Sequence, residues 1–147
     1  MEYGPGAHWQ MIGIISGIVL GVMITVAVIV GTWKVFQKAD KPGWAALIPI
    51  YNNYILIRIA QVPVWLLVLQ LLPLINPLLI INIPQIGIFA SLVVAVLSLG
   101  ASIYIIFEVA ARFGKGWAYA VGILFLPFIF IPMLGFGEAS YQPIYHN

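Results

Sequence analysis

Residues 11–33 read MIGIISGIVLGVMITVAVIVGTW and contain no Asp, Glu, Lys or Arg. A helix of about 20 apolar residues is long enough to cross the roughly 30 Å hydrocarbon core of a bilayer. The run is also longer than the apolar core of a cleaved signal peptide, so we expect it to remain as an anchor. This stretch therefore predicts a first transmembrane helix.

The composition of the whole chain agrees with a membrane location. Of its 147 residues, 63% are hydrophobic and only 7% are charged, with a mean hydropathy of +1.11. A soluble domain carries roughly 25% charged residues. No segment is polar enough to form a second globular unit, so we predict a single helical membrane domain over residues 1–147. A net charge of +2 is too small for a nucleic-acid footprint.

Further uncharged runs predict the remaining spans. The interval between Arg58 and Glu108 has no formal charge and is long enough for two crossings. Because backbone groups in lipid must be hydrogen-bonded internally, the spans should be helices. The sequence therefore predicts an all-α integral membrane protein with four transmembrane helices at 11–33, 62–81, 86–108 and 117–136.

Two shorter stretches are assigned to the connections. The apolar run at 44–57 is too short for a span and contains Pro49, so we expect one short interfacial or re-entrant helix there. A turn is expected at residues 82–85, which read NIPQ. In the alternative reading, 44–57 also spans, and the basic residues are then divided between the two faces of the membrane.

The basic residues predict the orientation. With four spans they all share one face, which the positive-inside rule places in the cytoplasm; they are Lys34, Lys38, Lys41, Arg58, Arg112 and Lys115. Both termini are then outside, and Glu138, Tyr141 and His146 lie on the outer face.

Two stripes of small residues are candidate helix-packing faces. Gly13, Gly17 and Gly21 are spaced four residues apart on the first helix, where another backbone could approach closely. A similar stripe on the third span comprises Ser91, Ala95, Ser98 and Ser102. The glycine face could pack on this second stripe or against a partner, either another membrane protein subunit or a second copy in a homo-oligomer.

The second span is expected to be broken, because Pro73 and Pro77 each remove a backbone donor. With Gln70 and Asn76 beside the break, it is a possible polar pathway for an ion or solute. The plainer interpretation is a kink satisfied by neighbouring helices.

The few charged and nucleophilic residues do not form a recognisable active site. Glu108 lies four residues before Arg112, which predicts an ion pair rather than a proton relay. His8 and His146 lack the spacing of metal ligands. Ser102 and Lys115 are the closest approach to a Ser-Lys pair, and nothing marks them as one. We therefore expect no catalytic, cofactor-binding or metal-binding residues and no enzymatic activity.

Several blocks resemble a family of small uncharacterised prokaryotic multi-span membrane proteins, whose shared region is a domain of unknown function. The blocks are KPGW at 41–44, LIPIYN at 47–52, FGKG at 113–116, FLPFIF at 125–130 and LGFG at 134–137. Members are often labelled signal peptidase I, a label that the residues here do not support. The resemblance implies a compact helical domain in the prokaryotic plasma membrane and supplies no activity.

The leading interpretation is a non-enzymatic accessory or scaffolding subunit of a larger membrane protein complex, which packs through its small-residue faces. The alternatives are a small channel or transporter that uses the break around residues 73–77, and a hydrolase acting at the membrane interface.

Overall fold

The computed structural model describes residues 7–75, 77 and 84–144, and every regular element within those residues is helical. The α-helices are α1 (Ala7–Lys38), α2 (Pro49–Ala60), α3 (Leu66–Leu71), α4 (Pro84–Arg112), α5 (Trp117–Phe125) and α6 (Pro127–Phe136). A 3-10 helix at Gly43–Leu47 precedes α2, and a second at Leu72–Leu74 follows α3. The all-helical fold that the sequence predicted is therefore confirmed.

Two helices are long and apolar enough to cross a membrane. They cover His8–Lys38, with a mean hydropathy of 2.7, and Gly87–Arg112, with 2.3. These helices contain the first and third predicted spans. Of the second predicted span, 62–81, residues 62–75 and 77 are described. They include the short α3 and a 3-10 turn at Pro73, where the ring interrupts the regular helix.

The structure differs from the expected fourth span at 117–136. The chain forms α5, turns at Leu126 and returns as α6, so the two helices lie side by side. The Tyr119 hydroxyl donates to the Phe130 carbonyl over 2.9 Å, and their rings meet edge to face at 5.0 Å. Pro127 is the first residue of α6. Because a proline disfavours the helical conformation in the residue before it, Leu126 leaves the helix and α5 ends at Phe125.

The region of the predicted short helix at 44–57 also forms two helices that fold back on each other, as α5 and α6 do. The 3-10 helix at Gly43–Leu47 is followed by one extended residue, Ile48, and then by Pro49 at the start of α2. Trp44 stacks on Tyr51 at 5.2 Å, so the chain folds back here too. Both turns are built by one non-helical residue followed by proline.

The carboxyl ends of α1, α2, α4 and α6 meet at one end of the molecule. Arg112 Nε at the end of α4 donates to the Ala60 carbonyl at the end of α2, over 3.1 Å. The backbone N–H of Gln142 donates to the Arg112 carbonyl at 2.7 Å. We call this region the basic end, since it contains Lys34, Lys38, Lys41, Arg58, Arg112 and Lys115.

Glu138 and Tyr141 also lie at the basic end. Lys38 Nζ donates to the Ala139 carbonyl, and the Tyr141 hydroxyl donates to the Ile59 carbonyl. The prediction that the chain carries Glu138 and Tyr141 to the end opposite the basic residues is therefore wrong, because α6 folds back along α5.

The packed core lies near the basic end rather than along the whole molecule. Phe36, Ile57, Ile59 and Leu134 are its largest fully buried side chains. They come from α1, α2 and α6, close to where those helices end. The amino-terminal part of α1 extends away from this core.

Candidate functional site

The predicted glycine face on α1 has no neighbour among residues 7–75, 77 and 84–144. A Cβ atom built on Gly13, Gly17 or Gly21 would meet nothing within 4 Å. The most apolar stretch of this helix is 0% buried, and Ile14 and Ile18 beside the glycines are about 60% exposed. Half of α1 is therefore a free apolar surface.

The serine stripe on α4 packs against α3 instead of α1. Ser98 Oγ donates to the Leu69 carbonyl at 2.6 Å, and Gln70 Nε2 donates to Ser102 Oγ at 3.1 Å. Ser91 bonds within its own helix, to the Gly87 carbonyl, and Ala95 is exposed. The structure thus does not bring the two predicted small-residue faces together.

A close helix crossing that the sequence reasoning missed joins α1 to α6. A Cβ on Gly31 would lie 2.6 Å from the Pro132 backbone nitrogen, and one on Gly135 would lie 2.6 Å from the Gly31 carbonyl oxygen. Only residues without a side chain permit this approach. Gly31 and Gly21 both lie in apolar sequence, so no sequence signal distinguished Gly31; its contacts with Pro132 and Gly135 do.

Lysine and arginine side chains cap helix ends at the basic end. Lys38 Nζ donates to the carbonyl oxygens of Leu134 at 2.9 Å and Ala139 at 3.0 Å, and also to that of Gly137. The last carbonyls of a helix have no partner inside it, and a cation there also interacts favourably with the helix dipole. Lys38 therefore fixes the end of α6 against α1.

Arg112 performs the same task for α2 and also makes the predicted ion pair. Its Nη2 lies 2.8 Å from Glu108 Oε2, while its Nε bonds the Ala60 carbonyl. The Glu108 carboxylate and the Arg112 guanidinium are thus neighbours at the basic end, as their four-residue spacing predicted.

The two caps belong to an internal repeat. After α1 the chain reads KADKPGWA (38–45), and after α4 it reads RFGKGWA (112–118). Asp40 and Gly114 both have positive φ, at 54° and 65°, and the next N–H bonds back to Phe36 and Ala110 respectively, at 2.9 Å in each case. This is a Schellman ending in both places.

Each repeat consists of a long helix followed by a returning pair of helices. The caps are exchanged, because Lys38 of the first repeat holds the last helix of the second, and Arg112 of the second holds the last helix of the first. The sequence signal that could have revealed this is the duplicated GWA at 43–45 and 116–118.

A cavity of about 350 Å³ lies between the two repeats. Its walls come from α1, α2, α4, α5 and α6 and are almost wholly aliphatic, with Val28, Val35, Leu56 and Ile123 among them. Asn52 is one of its two polar lining side chains; the other, Thr32, donates its hydroxyl to the Val28 carbonyl. A smaller cavity of about 170 Å³ on the other side of Leu56 reaches Asn53 and Gln70.

Gln70, the described residue of the predicted polar pathway, lies in the contact between α3 and α4. The Gln70 amide bonds Ser102 and lies 3.5 Å from the Ser98 carbonyl, which ties α3 to α4. Asn76 lies outside the described residues, as do His146 and residues 82–83 of the expected turn. These contacts favour the plainer reading of Gln70 as a structural residue.

The remaining candidates do not come together. His8 lies in the first turn of α1, whereas Glu138 lies at the basic end. The length of α1 separates the two residues by about 45 Å. Ser102 is bonded to Gln70, and Lys115 lies over the Tyr119 ring at 5.7 Å. Within the described residues, no three His, Asp or Glu side chains are grouped so that they could hold a metal ion.

Comparison with known proteins yields one match. The model of the family of unknown function DUF5684 matches residues 44–143, which run from the first returning pair to the carboxyl-terminal segment. No curated protein and no solved structure matches the sequence. Because the matched region covers more than half of the 147 residues, the chain belongs to the DUF5684 family.

Proposed function

We propose that this chain is a non-enzymatic accessory subunit of a membrane protein complex in a prokaryotic plasma membrane, and that the glycine face of α1 docks on a helix of a different subunit. The observation that carries the proposal is that nothing in the described part of the chain lies within 4 Å of a Cβ built on Gly13, Gly17 or Gly21. In lipid, helices associate where small residues allow their backbones to approach closely.

The energetics of glycine support a partner for this face. Each glycine in a helix interior costs roughly 1 kcal/mol relative to alanine. At Gly31 the close crossing with α6 offsets that cost, whereas at Gly17 no described residue makes such a contact. A partner helix on the same face would provide the missing contact.

The side chains in the described part of the chain support a non-enzymatic role. Ser16, Ser91, Ser98 and Ser102 each donate their hydroxyl to a backbone carbonyl of their own helix or of α3. Lys38 and Arg112 are engaged in capping. These serine hydroxyls and these two basic side chains are thus engaged in separate structural contacts rather than with each other.

The proposed topology has three crossings rather than four. Arg112 is about 42 Å from the start of α4 and is bonded to Ala60. The chain from Gln61 to Pro84 must therefore traverse the length of α4 in the opposite direction. With the basic end in the cytoplasm, the amino terminus is outside and the segment up to Ile144 is inside.

The docking proposal predicts that Gly17→Leu reduces the complex on a native gel. A leucine side chain on the glycine face would hold a partner backbone away, so we expect at least a fivefold loss of the large species in mild detergent. The matched control is Gly100→Leu on α4, because that glycine also has nothing within 4 Å. An unchanged complex in Gly17→Leu, or a complex containing only copies of this chain, would contradict the proposal.

The topology predicts the side from which single cysteines are labelled. The chain has no cysteine, so His8→Cys, Gln37→Cys and Ser140→Cys each create a unique thiol. In intact cells, a membrane-impermeant maleimide should label only the variant at position 8. Permeabilisation should then expose positions 37 and 140 together. Labelling of Ser140→Cys in intact cells would instead support four crossings.

A further inference from the structure

We propose that the cavity between the two repeats binds an uncharged single-chain amphiphile whose polar group is a hydroxyl, such as a long-chain alcohol. The cavity of about 350 Å³ is within the range of small-molecule sites, which are mostly apolar with a few orienting polar groups. This binding site is separate from the glycine face and does not depend on the accessory role.

The shape of the cavity favours a chain. Its lining extends along α1 from Val28 to Val35, which corresponds to about 10 Å of helix. Val35 is three residues from Lys38, so the cavity begins just below the basic end and continues towards the middle of α1. An extended aliphatic chain fits along this path. In the proposed topology, it would lie at the depth of the lipid tails.

The chemistry of the lining excludes a charged ligand. No Asp, Glu, Lys or Arg is among the lining residues, and an unpaired ion would be costly in such surroundings. One polar atom in the lining is unsatisfied, because Asn52 Oδ1 is buried and has no hydrogen-bond partner in the described structure. A buried acceptor without a donor is destabilising. A ligand hydroxyl would supply the donor.

The Asn52 amide can turn towards such a ligand. Its Nδ2 makes one long contact, 3.4 Å to the Ala46 carbonyl, which holds the amide weakly. Rotation about the terminal torsion of asparagine is soft. The other polar lining residue, Thr32, is already engaged, since its hydroxyl donates to Val28 at 2.8 Å. Asn52 is therefore the group that orients the ligand.

Photolabelling in bilayer nanodiscs tests the site. The probes are a ten-carbon primary alcohol with a diazirine in its chain and the matching diazirine alkane without the hydroxyl. Labelling of Val28 and Val35 is measured by mass spectrometry relative to Ile14 and Ile18, which are exposed on the same helix. We expect the alcohol to raise this ratio about fivefold over the alkane, the value of one hydrogen bond.

Three variants connect the labelling to the cavity. Asn52→Leu should make the alcohol and the alkane label equally. Asn53→Leu, which faces the smaller cavity, should retain the fivefold preference, and Leu124→Trp should abolish cavity labelling by filling the space. Equal labelling by both probes in the native chain would overturn the proposal, as would an unchanged preference in Asn52→Leu.

A competition experiment covers the case in which Asn52→Leu does not fold. In the native chain, unlabelled 1-decanol should displace the alcohol probe from Val28 and Val35 at lower concentration than 1-methoxydecane, which has no hydroxyl to donate. If the two competitors are equally effective, the hydroxyl is not recognised and the inference is wrong.

Discussion

Gly31→Leu should lower the unfolding temperature of the chain in detergent by roughly 10 °C, corresponding to about 3 kcal/mol. A Cβ at this position would lie 2.6 Å from the Pro132 nitrogen and 2.8 Å from its Cα, both of which are backbone atoms. Backbone cannot move aside as a flexible side chain can, so α1 and α6 must separate. The separation also pulls Lys38 away from the carbonyls that it caps.

Gly17→Leu is the matched control for this prediction. It makes the same substitution in the same helix where no described residue lies within 4 Å, so the unfolding temperature of the isolated chain should not fall. Removing a glycine from the helix interior should instead raise it by about 3 °C. Thermal loss of helical ellipticity measures both variants. Equal unfolding temperatures for Gly31→Leu and the native chain would mean that the α1–α6 crossing is not tightly packed in solution.

Long uncharged runs were a reliable guide to the two long helices. Residues 11–33 and 86–108 fall inside α1 and α4, because a run of aliphatic residues without a breaker favours a continuous helix at bilayer depth. The ion pair of Glu108 and Arg112 also followed from spacing, since contacts between residues four apart are local.

The path of residues 117–136 could not be obtained from hydropathy. The run has the length and apolar character of a span, yet Leu126 and Pro127 divide it. Hydropathy cannot distinguish one crossing from two short helices that enter and return. The proline at the turn was a usable signal, because Pro49 marks the other returning pair in the same way.

The site residues that were missed depend on contacts distant in sequence. Gly31 meets Pro132, Lys38 meets Leu134, and Arg112 meets Ala60 only after the two repeats have interlocked. Periodicity along one helix carries no information about such pairs. For the same reason, the glycine spacing at 13, 17 and 21 identified a packing face without identifying what packs on it.

The exchanged caps explain why the two repeats form one unit around the cavity. If each repeat capped its own last helix, the interface between them would lose these polar links and depend more on aliphatic contact, which lipid tails could replace. Instead, Lys38 and Arg112 each join the two repeats through hydrogen bonds to helix ends. The cavity walls are thus held at a fixed separation near the basic end.

Lys38→Met should destabilise the chain by about 3 kcal/mol, an effect as large as that of Gly31→Leu. Methionine preserves the aliphatic contacts of the lysine stem but leaves the carbonyls of Leu134, Gly137 and Ala139 without their donor. Hydrogen bonds from a charged donor contribute about 1.5–3 kcal/mol each. Water can replace part of this contribution at Gly137, which is exposed, so the loss is smaller than the sum.

The structure also predicts the order of three related variants. Arg112→Met removes one carbonyl contact and a partly exposed ion pair, so its loss should be about half that of Lys38→Met. Lys34→Met, on an exposed side chain about one helical turn before Lys38, should have little effect. Unfolding temperature gives the order, and hydrogen exchange should rise in α6 for Lys38→Met but in α2 for Arg112→Met. If Lys38→Met loosened α2 and Arg112→Met loosened α6, each repeat would be held by its own basic residue, and the caps would not be exchanged.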